Sequence, residues 1–222
     1  MKVNEIFESI QGEGKYAGYP VLFIRLSGCN RNCKFCDSKY HTKGKEMTTS
    51  QIVNKIEKSE MRIVVWTGGE PTLQIDDIYE VIMKTTSYEH HLETNGSLHV
   101  ESGFFSYMCF SPKDEKSARS VVDFIAENST GSDTDIKIVT DINNVNKKLI
   151  KHATMLMPLT QSRKELMHPS DGDQGICVNV DANLEAWNKT IQQRVWDYCV
   201  KNNVKFCLRQ HVEVWGVNKR GI

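Results

Sequence analysis

The amino-acid sequence predicts an α/β protein in which βα units build a parallel sheet with helices packed outside it. Three observations carry that prediction. Short runs rich in Val, Ile, Leu and aromatics recur at residues 21–27, 62–67, 89–93, 106–110, 135–140, 153–158 and 204–209, as buried strands should. Apolar residues at helical spacing fill most of the gaps between them. The chain has 222 residues, 39% hydrophobic and 25% charged. That is globular composition with enough length to bury a core, and residues 1–222 are read as one domain.

Taken in order, the first strand carries the unbroken run Val21-Leu22-Phe23-Ile24. Thr49 or Ser50 supplies a capping hydroxyl for a helix through Ile52, Ile56 and Glu57, since first-turn N–H groups lack intrahelical partners. Ile63-Val64-Val65-Trp66 forms the next strand, and Asp76-Asp77 opens a helix that places Ile78, Val81 and Ile82 on one face. After strands 89–93 and 106–110, Ser117 opens a helix through Val121, Val122 and Ile125; after 135–140, Asp141 to Ile150 reads as a fourth. Residues 159–180, with Gly172, Gly175 and many polar residues, read as a long loop, and such loops are often functional. Asn183 starts the longest helix, with Leu184, Trp187, Ile191, Val195 and Trp196 on one face and Lys189, Gln192 and Gln193 on the other.

Charge narrows the partners. With 28 Lys+Arg against 28 Asp+Glu, the chain lacks the basic excess of a protein that binds nucleic acid through phosphates. Its longest apolar runs fall far short of a membrane span, and Met1-Lys2-Val3-Asn4-Glu5 has no signal-peptide core. No nucleic acid, no membrane and a cytoplasmic location are therefore expected.

The cysteine count is 7, and an odd number speaks against a disulfide framework. Cys109, Cys177, Cys199 and Cys207 stand singly and read as small buried hydrophobes. Cys29, Cys33 and Cys36 instead fall together after the first strand. In α/β sheets and barrels, sites gather at the carboxyl ends of strands. The other unusual residues obey the same rule: Gly68-Gly69-Glu70-Pro71 follows 62–67, Glu93-Thr94-Asn95-Gly96 ends 89–93, and Ser111-Pro112-Lys113 follows 106–110.

Three thiolates are one fewer than a closed structural site needs. A cubane iron–sulfur cluster is usually held by four cysteines, so three would leave one iron open to an outside ligand. Structural zinc with His41 as fourth ligand is the alternative reading. Phe35 is either a core residue or an apolar wall beside a ligand of the open iron.

Cys29-x3-Cys33-x2-Cys36 with an aromatic before the last cysteine resembles the radical S-adenosylmethionine superfamily. The resemblance implies a [4Fe-4S] cluster whose open iron chelates S-adenosylmethionine, and one-electron cleavage to a 5′-deoxyadenosyl radical. The protein would then position the cofactor and contain the radical. Gly68-Gly69-Glu70-Pro71 resembles that superfamily's second motif, which lies against the methionine moiety. Because 222 residues leave little room for a full eight-unit barrel of about 250 residues, the fold expected is a partial (incomplete) βα TIM-like barrel.

Glu8-Ser9-Ile10-Gln11-Gly12-Glu13-Gly14, followed by Gly18-Tyr19-Pro20 and Arg25, closely resembles the opening of the 7-carboxy-7-deazaguanine synthase family. The residues alone also allow a polar hairpin turn and an ion-paired arginine. Arg25 nonetheless stands on a strand fit for burial, where a guanidinium wants a carboxylate partner, and the family's substrate supplies one. That substrate is 6-carboxy-5,6,7,8-tetrahydropterin, and the implied reaction is a radical ring contraction that expels ammonia and returns the abstracted hydrogen to the cofactor.

Carried over by position, Ile10, Gln11, Gly12 and Glu13 would line the pterin site, Arg25 would hold its carboxylate, and Thr67 and His211 would contact it. Phe35, Cys36, Asp37, Gly69, Ser111, Pro112 and Lys113 would bind S-adenosylmethionine, with Glu93 at its ribose. Ser38 would offer its hydroxyl to Mg2+, where the family usually has Thr. An electron donor such as flavodoxin or ferredoxin and a homodimer belong to the same implication. Ser27-Gly28-Cys29-Asn30 also resembles glycyl-radical activating enzymes, notably the activase of anaerobic ribonucleotide reductase, which would act on a protein. A zinc-stapled binding module is the rival outside the superfamily.

Overall fold

In a computed structural model, residues 1–33, 36, 42–128, 133–160 and 180–215 are described. Nine strands of these residues lie in one sheet: β1 (Lys2–Ile10), β2 (Pro20–Leu26), β3 (Lys45–Glu46), β4 (Ile63–Gly68), β5 (Glu89–Thr94), β6 (Tyr107–Phe110), β7 (Asp133–Thr140), β8 (Met155–Pro158) and β9 (Lys205–Phe206). Their spatial order is β3-β1-β2-β4-β5-β6-β7-β8-β9. From β2 to β9 every neighbouring pair is parallel, whereas β1 runs antiparallel to β2 and β3. Among the described residues β3 and β9 do not pair, so the α/β fold is an open, incomplete barrel extended by a hairpin at one edge.

Among the described residues five α-helices accompany the sheet: α1 (Thr49–Glu57), α2 (Ile75–Lys84), α3 (Glu115–Glu127), α4 (Val180–Asn202) and α5 (Gln210–Trp215). Side chains alternate across a strand, and one face of the sheet meets the helices. Ile24, Trp66, Leu92, Met108, Ile138 and Leu156 pack there in one cluster with Ile52 and Ile56 of α1, Ile78 and Val81 of α2, Ala118 and Val121 of α3, and Ile191 and Val195 of α4. The opposite face begins apolar and aromatic. Val21, Ile63 and Val65 pack with Tyr16 and Phe23, and the His91 ring lies 4.3 Å from Tyr16 and 5.4 Å from Tyr107. One step nearer the carboxyl ends this face turns polar.

Several local expectations are corrected. β1 escapes a search for apolar runs because Lys2, Asn4, Glu5, Glu8 and Ser9 interrupt it and only Val3 is buried. The cap of α1 is Thr48, whose hydroxyl accepts from Gln51 N–H while the Gln51 side chain accepts from Thr48 N–H, a capping box. Asp114, not Ser117, caps α3, accepting Ser117 N–H at 2.8 Å. No α-helix forms over 141–150. Asp141 Oδ1 accepts the N–H of both Asn144 and Val145 at 2.8 Å, and Ile142 and Asn146 have positive φ. A side-chain turn thus takes the place of helical bonds, and only Lys147–His152 coil, as a 3-10 helix. The longest helix starts at Val180 rather than Asn183. β9 is short, although Cys207 N–H still reaches Leu156 C=O at 2.9 Å before the chain leaves the ladder.

Candidate active site

The strand register sets out the site. Arg25 of β2 pairs with Thr67 of β4, and Glu93 of β5 with Cys109 of β6, on the face away from the helices. Over them folds the loop after β1. Gln11 N–H donates to Tyr19 C=O and Gly18 N–H to Gln11 C=O, both at 2.8 Å, which closes the loop at its base and turns the buried Gln11 inward. The Gln11 amide donates to Glu93 Oε1 at 3.1 Å, and the Thr67 hydroxyl donates to Glu93 Oε2 at 2.9 Å. Both carboxylate oxygens of Glu93 are thereby engaged by two residues expected on the substrate side, so the structure joins Glu93 to that group.

A second knot lies beside the first. Lys137 Nζ of β7 donates to Glu13 Oε2 at 2.5 Å, and Arg209 Nε stands 3.5 Å from Glu13 Oε1. Gln11 Oε1 accepts Glu13 N–H at 3.1 Å, and Cys207 Sγ accepts Gly14 N–H at 3.1 Å. Burial alone would lower the Lys137 pKa, but the negative surroundings, Glu13 foremost, hold the ammonium well above its ordinary value. Burial pushes the neighbouring Cys109 thiol up to about 12, so it stays protonated.

The cysteine loop leaves β2 at the same end of the sheet. A Cβ at Gly69 would overlap the Gly28 carbonyl, and Gly68 holds φ +119° against the backbone of Leu26. Both positions therefore require glycine for the close approach. Glu70 N–H donates to Gly28 C=O at 2.8 Å. The Glu70 carboxylate, 1% exposed, accepts from Thr72 N–H and hydroxyl, Thr94 hydroxyl and Asn95 N–H at 2.6–3.1 Å. Asn95 donates to Asn30 Oδ1 and Asn30 to the Ser97 hydroxyl, each at 2.9 Å. Arg31 reaches Asp114 at 2.5 Å and the Ser117 hydroxyl at 2.9 Å. The loop is thus tied on both sides of Cys29.

Burial raises the Cys29 thiol pKa, Arg31 N–H opposes the shift, and Glu70 and Cys33 add to it while Lys113 lowers it. Cys36 N–H donates to Cys33 C=O at 3.2 Å. Among the described residues no three His, Cys, Asp or Glu side chains converge as on a metal ion. Three soft thiols on one short loop, backed by a glycine pair that admits backbone and no side chain, nevertheless form a donor set that fits an iron–sulfur cluster. Nearby, Ser111 N–H donates to Thr94 C=O and Lys113 to the Ser111 hydroxyl, both at 2.7 Å. Pro112 sits between them, buried.

Other expected site residues are placed as follows. The carboxylate partner of Arg25 is Glu5 of β1, 2.7 Å from its Nε, and the guanidinium lies 5.5 Å from the Phe7 ring. Ile10 is 48% exposed at the end of β1, outside the Gln11 and Glu93 group. Gln210 N–H donates to Gly12 C=O at 2.9 Å, and a Cβ at Gly12 would lie 2.8 Å from His211 Nδ1, so His211 joins the loop. Phe35, Asp37, Ser38, His41, Cys177 and most of the 159–180 loop lie outside the described residues. Cys109, Cys199 and Cys207 are buried as expected, and Cys109 and Cys207 also border the charged knot. Glu5, Glu70, Arg31, Lys137 and Arg209 were not singled out as site residues from sequence. Lys137 carried a usable signal, a charge inside the apolar run Ile136-Lys137-Ile138-Val139, the same signal that singled out Arg25.

Residues 23–102 match the model of the radical SAM superfamily. A 7-carboxy-7-deazaguanine synthase of Neisseria meningitidis is 33% identical over 205 residues, covering 88% of this chain and 92% of that protein. One from Bacteroides thetaiotaomicron is 42% identical over 112 residues, 50% of this chain and 60% of that protein. The match thus spans about three fifths of the length of the Bacteroides relative. The crystal structure of QueE from Escherichia coli superposes with a TM-score of 0.61 at 20% identity, covering 95% of this chain and 94% of that one, a likeness of fold.

Proposed function

The chain belongs to the 7-carboxy-7-deazaguanine synthase family, and on that premise we propose that it converts 6-carboxy-5,6,7,8-tetrahydropterin to 7-carboxy-7-deazaguanine with loss of ammonia. The observation that carries the proposal is the meeting of Gln11, Thr67 and Glu93, whose bonds to one carboxylate span 82 and 26 residues of sequence, at the strand ends beside the cysteine loop. A zinc-stapled module has no use for that group.

When bound, the cluster and S-adenosylmethionine supply one-electron cleavage to a 5′-deoxyadenosyl radical. The remaining tasks belong to the chain. Cys29, Cys33 and Cys36 would ligate the cluster and leave one iron open. Phe35, Cys36, Asp37, Gly69, Ser111, Pro112 and Lys113 would hold S-adenosylmethionine, and Ser38 would hold Mg2+, a hard cation suited to oxygen ligands. A pterin presents N–H donors beside a carbonyl oxygen. Glu13 and Glu93 offer acceptors to those donors, the Gln11 amide offers either sense, and His211 lines the loop. The substrate carboxylate would share Arg25 with Glu5, since a guanidinium has donors for both. The Tyr16, His91 and Tyr107 rings floor this face and exclude water, which protects reactive intermediates. A flavodoxin- or ferredoxin-like donor and a homodimer complete the proposal, on the family resemblance.

The test is anaerobic reconstitution with iron and sulfide, then incubation with S-adenosylmethionine, reductant, Mg2+ and the carboxytetrahydropterin. Broad visible absorbance and the deazaguanine acid are expected. A colourless, zinc-loaded protein overturns the radical reading. Cofactor cleavage without that product points to a glycyl-radical activase.

A further inference from the structure

A lysine on a central parallel strand is an anomaly of packing. Lys137 lies between Ile136 and Ile138 of β7, and its side chain is 7% exposed; its partner Glu13 is 14% exposed, and Arg209, which also pairs with Glu13, is 8% exposed. Taking such charges out of water is costly, and an apolar residue of similar length commonly serves stability as well or better. The cation therefore has a use other than holding the sheet. Its ammonium meets one oxygen of Glu13 and Arg209 stands at the other, while the backbone of Glu13 is fixed separately through Gln11. What the two cations add is the direction and the charge of the Glu13 carboxylate. Each oxygen keeps acceptor capacity beyond these contacts.

We propose that Lys137 is a positioning residue for substrate recognition, which keeps Glu13 ionised and aimed so that its carboxylate reads the N–H donors of the bound heterocycle. The inference rests on the proposed function and deepens it. The groups that face the pair are Arg209 and Cys207 after β9, Cys109 of β6, Glu93 of β5, and Gln11 and the His211 ring at the loop. Among the described residues, removing Lys137 leaves Glu13 with Arg209 as its cation and with Glu93 nearby. Its carboxyl then takes up a proton more readily, and a protonated acid presents a donor where the heterocycle also presents donors.

The experiment compares wild type, Lys137→Met and Lys137→Arg in steady-state turnover of the carboxytetrahydropterin from pH 6 to pH 8, with folding checked by circular dichroism. Lys137→Met should raise KM about tenfold at pH 8, on the scale of about 1.4 kcal/mol per factor of ten, with a smaller loss in kcat. Its KM should climb further as pH falls, while that of wild type and Lys137→Arg stays level. An unchanged KM, or a rise that is independent of pH and not rescued by Arg, overturns the assignment. Glu13→Gln and the double variant Glu13→Gln/Lys137→Met, which removes both buried charges, supply the measurement if Lys137→Met does not fold. Added to Glu13→Gln, loss of Lys137 should cost nothing more, and additive losses refute the role. If wild type itself forms no product, the proposed function falls; if wild type turns over and the variants depart from these results, only the Lys137 assignment falls.

Discussion

On the side of the sheet that meets the helices, Ile24, Trp66, Leu92, Met108 and Ile138 are each sealed from solvent at 0% exposure. One residue along the same strands, on the other side, stand Arg25, Thr67, Glu93, Cys109 and Lys137, with the Gln11 to Gly14 loop above them. The first face needs only shape, and its Trp66 indole N–H is satisfied by His90 Nδ1 at 3.1 Å. The second must balance charge in a place with little water, so each cation there has a carboxylate partner: Arg25 with Glu5, and Lys137 and Arg209 with Glu13. Because strand side chains alternate, stability and recognition are written on the same strands in adjacent letters.

Truncations on the two faces should therefore fail differently. Trp66→Ala empties the helix-facing core and should cost about 3–5 kcal/mol of stability, read as a lower melting temperature, while KM for the pterin in the folded fraction stays near wild type. Arg25→Ala should weaken substrate binding by roughly 2–5 kcal/mol, the usual cost of truncating one partner of a hydrogen-bonded charge pair, toward the lower end because Arg25 and Glu5 are only part-buried, with a smaller effect on melting. An unchanged KM would remove Arg25 from recognition, and a Trp66→Ala variant with normal stability would break the division between the faces.

The aromatic floor gives a finer probe. Among the described residues, both ring nitrogens of His91 are buried without a hydrogen-bond partner, Nε2 standing 3.8 Å from Glu89 Oε2. Burial, helped by His90, lowers its pKa from 6.5 to about 4. The unfolded chain then takes up a proton at a pH where the folded chain refuses it. The stability tied to neutral His91 is complete above pH 6.5 and is lost as pH falls toward 4. His91→Phe removes that loss, so relative to wild type the variant should gain about 2 kcal/mol on going from pH 7.5 to pH 5. A gain independent of pH would show that His91 takes up its proton as readily in the folded protein as in the unfolded chain.

Much of this was legible in the sequence where one residue type had one meaning. Seven parallel strands announced themselves because strands covered on both faces read as apolar runs. Cys29, Cys33 and Cys36, Gly69 and Gln11 stood out because their types and spacing are rare among packing residues. β1 was hidden because a half-buried edge segment tolerates Lys2, Asn4 and Glu5. The 141–150 segment misled because the bonding of Asp141 to Asn144 and Val145 overrides helical spacing. Lys137 showed as a charge inside an apolar run, but its partner Glu13, 124 residues away, left no sign of itself, and Arg209 acquired its role only through the same distant carboxylate. Long-range charge pairing leaves no periodic trace. Arg25 was legible as a cation seeking a carboxylate, but its partner on β1 was not, since β1 itself went unseen.

The most direct test of the central claim, that the polar face of this sheet binds the carboxytetrahydropterin for ring contraction, is the amount of 7-carboxy-7-deazaguanine formed per S-adenosylmethionine consumed by the anaerobically reconstituted protein with Mg2+ and reductant. Because the proposed reaction returns the abstracted hydrogen to the cofactor, product should accumulate in molar excess over S-adenosylmethionine lost. Consumption of S-adenosylmethionine to 5′-deoxyadenosine with no deazaguanine acid would contradict the account.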